Sequence, residues 1–359
     1  MDENKLQAML NRLPQMRVLV VGDFFLDKYL IAERVLSEIS LETGLEAYQV
    51  VEVRCSPGAA GTVTSNLRAL GAQVTALGII GDDGEGYELR RGLAARGAVT
   101  DWLLTLQPPA GSEPAGGLVG FTPTYTKPMM RERDGREHEL NRLDIKNRSP
   151  LSKEAEDELM RRLDALVPQM DAVIVADQVQ ERNCGAITDR VREEIIRLGA
   201  AYGDKVFAAD SRERIGLYRN VIIKPNRREA ARAVQPGWKG KDTEMDLPTI
   251  ARYGEALLQR TGKPVYLTMG AKGIMLFSRE GRKHVPAVPV TGEIDPVGAG
   301  DSTMSGIVLA LCAGATLEEA ALMGNLVASI TIQQIGTTGT ASPAQVLARF
   351  REMQRGGIA

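Results

Sequence analysis

Short apolar runs that recur between stretches of helical periodicity constrain this chain more than any other feature. Arg17-Val-Leu-Val-Val-Gly22-Asp23 reads as a buried strand ending in a turn. Val63, Leu67 and Leu70 follow at helical spacing, and Gly71 closes that helix. Residues 74–80 predict a further strand and residues 84–96 a further helix. Ala172-Val-Ile-Val-Ala176 comes after an amphipathic helix at Lys153–Leu166, and the apolar runs 206–209, 221–223 and 265–268 continue the alternation. This rhythm predicts a parallel sheet with helices on both faces, a doubly wound α/β sandwich of three layers. Such sheets bind ligands at the carboxyl ends of their strands.

Two segments break the rhythm. Residues 30–53 contain the alternating run Ala47-Tyr-Gln-Val-Val-Glu-Val53, suited to antiparallel strands. Residues 120–141 read as extended and polar, with a hairpin turn at Asp134-Gly135. We expect them to form a small β-sheet lid, inserted at approximately 30–54 and 120–141 of a single domain spanning 1–359. The Pro/Gly-rich 107–117 and the polar 235–246 read as surface loops.

Composition excludes several classes. The 359 residues carry a net charge of −2 with acids and bases interspersed, so no nucleic acid partner is expected. The apolar stretch 307–332 is broken by Glu318, Glu319 and Asn325, so no membrane partner is expected either. The charged N-terminus shows no secretory signal. Cys55, Cys184 and Cys312 are few and far apart, which points to a reducing, cytoplasmic setting without disulfides or a thiolate metal cluster.

Asp295-Pro-Val-Gly298-Ala299-Gly300-Asp301 precedes a long apolar helical stretch and carries the chemistry. Small residues leave backbone N–H groups bare, and a helix start favours negative charge, so Gly298, Ala299 and Gly300 suggest an anion hole served by the N–H groups of residues 297–300. Asp301 stands at its lip. A carboxylate there suits the removal of a proton from an attacking hydroxyl, which indicates phosphoryl transfer to an alcohol. The plainer reading is a first-turn acid complementing the helix dipole.

With these pieces in place the chain resembles the PfkB/ribokinase family of carbohydrate kinases over nearly its whole length. Gly22-Asp-Phe-Phe-Leu-Asp27 looks like the family's first strand, whose terminal acid binds sugar hydroxyls. Pro57-Gly58-Ala-Ala-Gly61-Thr62 is similar to its Gly-rich sugar-contacting turn. Asn226-Arg-Arg-Glu229 matches its Asn-x-x-Glu element, and Thr268-Met-Gly270-Ala-Lys-Gly273 resembles its nucleotide-side loop. Asp295 to Asp301 matches its C-terminal signature, with Pro296 where Thr is usual.

The resemblance implies a ribokinase-like fold and an enzyme using ATP and Mg²⁺ to phosphorylate a sugar or sugar phosphate. It places Asp27, Gly58 and Thr62 at the acceptor, with Lys127 and Arg142 as contacts for a phosphate already on it. On the nucleotide side it places Asn226, Glu229, Thr268, Gly270, Gly273 and Asn325, with Ser329 and the 336–340 loop bordering the adenine. Glu229 would order water around Mg²⁺. Some members bind K⁺ beside the anion hole, and in many the lid doubles as a homodimer contact; both are carried here as open expectations.

Within the family the nearest resemblance is to the heptose-phosphate kinase group, the kinase half of ADP-heptose synthases. Asp27-Lys28-Tyr29, Thr126-Lys127, Arg142-Leu-Asp144 and Gly336-Thr-Thr-Gly-Thr340-Ala341 carry it. Thr62 stands where that group has Asn, Asp177-Gln-Val-Gln-Glu-Arg182 replaces an Asp-Tyr-x-Lys-Gly type, and Asp210-Ser-Arg212 an Asp-Pro-Lys type. All three departures lie on the acceptor side, so the acceptor itself is not assigned. No nucleotidyltransferase region is expected after Ala341. Two alternatives stay open: a nucleoside or small-alcohol kinase of the same fold, and a non-catalytic nucleotide- or sugar-binding homologue.

Overall fold

A computed structural model describes residues 1–107, 120–241 and 245–356. Most of the loop expected at 107–117, and part of that at 235–246, lies outside the described residues.

The alternation of apolar runs and helices resolves into one large sheet. Its strands run in the spatial order Gly281–Val285, Ile274–Ser278, Val265–Thr268, Ile222–Ile223, Val206–Ser211, Ala172–Asp177, Arg17–Gly22, Gln73–Gly81 and Leu104–Leu106. Pairing is parallel from Leu104–Leu106 through Val265–Thr268, and the last two strands are antiparallel.

Strand periodicity divides the apolar residues between two cores. On Arg17–Gly22, Val18 and Val20 join one cluster with Val63, Leu67, Ile307, Leu326 and Phe350. Leu19 and Val21 join another with Leu159, Leu163, Ile195 and Leu257. Helices Ala60–Ala69, Ala299–Cys312, Leu317–Thr331 and Pro343–Arg355 therefore cover one face, and Lys153–Leu166, Asp189–Ala201 and Leu247–Thr261 the other. Each fully buried Val or Leu contributes on the order of 2 kcal/mol, which is what fixes the layers.

A second, smaller sheet is built from Val50–Ala59, Phe24–Glu33, Thr124–Arg131 and Leu143–Ile145 in that order, with Glu137–Glu139 paired to the end of Thr124–Arg131. The antiparallel strands expected at 30–53 form, with Phe24–Glu33 paired antiparallel to Val50–Ala59. Phe24–Glu33 also lies parallel to Thr124–Arg131, so the lid is mixed. The turn at Asp134-Gly135 forms, with Gly135 at φ +83° and its N–H donating to the Glu132 carbonyl. The chain enters this sheet straight from the central strand through Asp23, and leaves it through Ala59 straight into helix Ala60–Ala69.

Asp83 caps helix Gly84–Ala95 and accepts from both the backbone and hydroxyl of Thr122, a structural role. Among the described residues no helix is long and apolar enough to cross a membrane.

Candidate active site

Helix Ala299–Cys312 begins without a side-chain cap because Gly298 occupies the capping position in the left-handed region, at φ +77°. A Cβ on Gly298 would stand 2.6 Å from the Thr338 methyl and 3.4 Å from that of Thr62. This one glycine therefore draws together the helix start, the 336–340 loop and the turn before helix Ala60–Ala69. The hole is narrower than expected. Val297 donates its N–H to Asp295 Oδ1 and Ala299 its N–H to the Pro296 carbonyl. The N–H groups of Gly298 and Gly300 have no partner among the described residues.

Asp301 lies in the first helical turn and Lys224 faces it from across the sheet. A Cβ on Gly300 would lie 3.3 Å from Lys224 Nζ. Lys224 is 3% exposed and its ammonium pairs with Asp210 at 2.9 Å. Burial opposes that charge, but Asp210, Glu229 and Asp301 more than offset it and hold the lysine pKa above its usual value. Burial, reinforced by the Asp210 carboxylate, pushes Asp301 up to about 7 against the pull of Lys224 and Arg212. Glu229 is likewise pushed up to about 7, by burial and then by Asp210. Both Lys224 and Asp210 end strands on the carboxyl side of the sheet. Neither stood among the expected site residues, and the only signal for Lys224 was its place directly before Pro225-Asn226.

Asn226 and Glu229 form a capping box. Asn226 Oδ1 accepts the Glu229 N–H at 2.9 Å, and Glu229 returns bonds to the Asn226 backbone at 2.8 Å and to its amide at 2.7 Å. Asn226 also bridges to Thr268, whose N–H donates to the Pro225 carbonyl at 2.9 Å. Gly270 and Gly273 bracket the tight turn that follows, at φ +62° and +85°. Asn325 is buried, with its amide N–H groups donating to the Val285 and Pro286 carbonyls, which fixes that segment from within. Ser329 is engaged by Arg349, and Gln334 ties off the 336–340 loop by bonding Thr340 in both directions.

The lid supplies the opposite wall. Asp27 pairs with Lys127 Nζ at 3.2 Å, and Lys127 donates to the Tyr29 hydroxyl at 3.1 Å. Gly58 allows this, since a Cβ there would fall 2.5 Å from Asp27 Oδ2. Arg142 forks onto Asp144 at 2.7 and 2.9 Å and lies over the Tyr125 ring at 4.5 Å. Both basic residues are thus engaged by acids. Arg212 has no ion pair among the described residues, yet its charge reaches Asp301, Glu229 and Tyr125, and Asp27 reaches Asp301. The two walls therefore converge on one site.

Carboxyls outnumber cations where Asp301, Glu229 and Asp210 meet Lys224 and Arg212, an excess a divalent cation would offset. Among the described residues no three His, Cys, Asp or Glu side chains are arranged to hold a metal by themselves. A Mg²⁺ there would be held by few protein ligands and several waters.

Solved structures share this architecture. A ribokinase of Arabidopsis thaliana, complexed with ribose and ATP, superposes with a TM-score of 0.66 over 94% of this chain and 99% of that one at 18% identity. Phosphofructokinase-2 of Escherichia coli, in complex with potassium, gives 0.66 over 95% and 100% at 19% identity. The fold is ribokinase-like.

The profile of the pfkB family carbohydrate kinases matches residues 139–345, and the chain belongs to that family. Among curated relatives, the bifunctional protein HldE of Geotalea uraniireducens is 28% identical over 353 residues, covering 98% of this chain and 66% of that protein. HldE of Desulfatibacillum aliphaticivorans is 30% identical over 341 residues, covering 94% and 63%. The chain thus spans just under two thirds of these relatives' lengths.

Proposed function

We propose that this chain is an ATP- and Mg²⁺-dependent phosphotransferase acting on a hydroxyl of a sugar or sugar phosphate, with Asp301 as general base. The observation that carries this reading is the meeting of Asp301, Lys224, Glu229 and the Gly298–Gly300 backbone at the carboxyl end of the sheet, opposite Asp27 of the lid. Asp301 takes the acceptor proton as the acceptor oxygen bonds to phosphorus and the bond to the leaving diphosphate breaks. The free N–H groups of Gly298 and Gly300 and the Lys224 ammonium stabilise charge on the transferring group. Glu229 would hold a Mg²⁺ through water, and the ion would supply further neutralisation of phosphate charge. Asn226, Thr268, Gly270 and Gly273 would hold the nucleotide, with Asn325 fixing its wall from behind. K⁺ at the 336–340 loop belongs to the same proposal.

Asp27, Gly58 and Thr62 would shape the acceptor subsite. Release of Lys127 from Asp27, or of Arg142 from Asp144, would free a cation for an acceptor phosphate. The edge-on pair Phe25–Tyr125, with ring centres 5.4 Å apart on the lid face, gives a nucleoside acceptor its own support as a second reading. Ile39, Leu41 and Leu45 project at 64%, 104% and 70% exposure from a separate two-stranded ribbon, Glu38–Ile39 with Glu46–Ala47, inserted between the lid strands Phe24–Glu33 and Val50–Ala59, which supports a homodimer through the lid. Unpaired Cys55, Cys184 and Cys312 are in keeping with a cytoplasmic setting.

ADP release with Mg-ATP, measured over hexoses, heptoses, their monophosphates and nucleosides, tests the reading with Asp301→Asn alongside. Turnover on one acceptor, lost in the variant, is the expected result. ATP binding without Asp301-dependent turnover on any acceptor would leave a nucleotide-binding homologue instead.

A further inference from the structure

Asp23 follows the central strand and takes no part in the chemistry above. Its carboxylate is buried, at 3% exposure. Oδ2 accepts the N–H groups of Gln178 at 2.7 Å and Val179 at 2.8 Å, and Oδ1 that of Ala186 at 2.8 Å. Its main chain continues the pattern, since Asp23 N–H donates to the Ala176 carbonyl and the Asp23 carbonyl accepts from Ala60, each at 3.0 Å. These bonds cross the sheet between Arg17–Gly22 and Ala172–Asp177, where the strand order reverses. That reversal is where open α/β sheets place their ligand crevice. Gln178, Gln180 and Cys184 of the pinned loop line a cleft together with Asp23 itself, Tyr125 and Arg212. Ala60 opens the helix that carries Thr62.

Resting on the kinase reading, we propose that Asp23 is a positioning residue for the acceptor, holding the 178–186 loop and the start of helix Ala60–Ala69 in one fixed relation, its carboxylate oxygens spent on the loop N–H groups rather than on substrate. A carboxylate offers only acceptor oxygens, so it can serve three N–H groups at once. An amide in its place turns a donor towards at least one of them and leaves that N–H buried without a partner. Gly185 is part of the device, because a Cβ there would lie 2.4 Å from Asp23 Oδ1.

The groups facing Asp23 are Asp177 on the neighbouring strand, and Arg214 and Tyr218 beyond strand Val206–Ser211. Asp177 is itself compensated by Arg214 at 3.0 Å, Ser211 at 2.6 Å and Tyr218 at 3.3 Å. Asp23 has only its three N–H donors against burial and the Asp177 charge, and is pushed up to about 6. Acidification through that value therefore removes the charge that pins the loop.

The test compares Asp23→Asn and Gly185→Ala with the parent, the second variant keeping the charge while crowding Asp23 Oδ1 and the Val179 side chain of the same loop. Acceptor KM is expected to rise about tenfold in both, with ATP KM changing less than about twofold, as suits one buried N–H left unpaired. In the parent, acceptor KM should also rise as pH falls through about 6, a dependence absent from Asp23→Asn. Equal changes in both KM values, or a lower Tm with acceptor KM unmoved, would show a merely structural role and overturn the proposal. Hydrogen exchange at the Gln178, Val179 and Ala186 amides reads the pinning without turnover. Faster exchange in both variants is expected, and unchanged protection overturns the proposal even if the kinase reading stands. Faster exchange in a parent–variant set that turns over no acceptor would instead sink the kinase reading.

Discussion

Asp301 is under two opposed demands. The proposed general-base role requires its ionised form, while burial and Asp210 favour the protonated one and bring it to about 7. Turnover at saturating ATP should therefore rise with pH through about 7, to be measured as a pH profile of kcat. The same shift acts on stability with the opposite sign. A carboxyl whose folded pKa is raised stabilises the fold most below its unfolded value and loses that contribution as pH rises through about 7. Asp301→Asn should thus lose about 10²–10⁴ in kcat, yet raise the Tm of the ligand-free protein at pH 8. Lys224→Met removes the cation that opposes this shift. Its kcat should fall by about 10² or more, with the remaining pH profile displaced to higher pH. Asp301, Asn226 and Glu229 were legible in the sequence because each belongs to a spaced motif. Lys224 was not, because a single lysine after a short apolar run has no pattern, and only the parallel register brings it to Gly300. Lys127 and Arg142 were legible as charges, but their engagement by Asp27 and Asp144 depends on strand pairing that no local signal reveals.

The start of helix Ala299–Cys312 depends on two glycines for different reasons. Gly298 needs both its positive φ and the absence of a Cβ, so Gly298→Ala should cost about 1–2 kcal/mol by chemical denaturation. Gly300 lies within the helix, and a Cβ there meets only the paired Lys224 ammonium at 3.3 Å and Asp210 Oδ2 at 3.9 Å, so Gly300→Ala should lower Tm by no more than the slight displacement of that pair costs. It would still place a methyl in the anion hole and depress kcat at least tenfold, read by the same ADP assay. The strands and helices of the main sheet were legible because periodicity and length signal each one locally. The lid was legible only as a break in that rhythm. Its parallel pair joins Phe24–Glu33 to Thr124–Arg131 across two strand–helix units, and alternation alone cannot tell parallel from antiparallel neighbours.

At the scale of the whole molecule, the three-layer order follows from the two apolar sets on a single strand, Val18 and Val20 against Leu19 and Val21. The lid offers no second layer of its own to cover Leu41 and Leu45. Sedimentation equilibrium should report a dimer, and Leu41→Glu with Leu45→Glu should shift it to the monomer mass while helical content stays constant. The way this sheet is attached limits how it can move. Strands Phe24–Glu33 and Val50–Ala59 join the main fold through single residues, Asp23 and Ala59, with Ala59 held at φ +53°, where a non-glycine residue rarely rests, while Thr124–Arg131 and Leu143–Ile145 join it through separate connections. The Ala60 N–H bonds the Asp23 carbonyl at 3.0 Å, so the first two joints are also fastened to each other. A plate tied down at four places cannot swing on a tether. Any opening must bend all of these connections together, so the acceptor cleft is bounded by a wall that yields little rather than by a free flap.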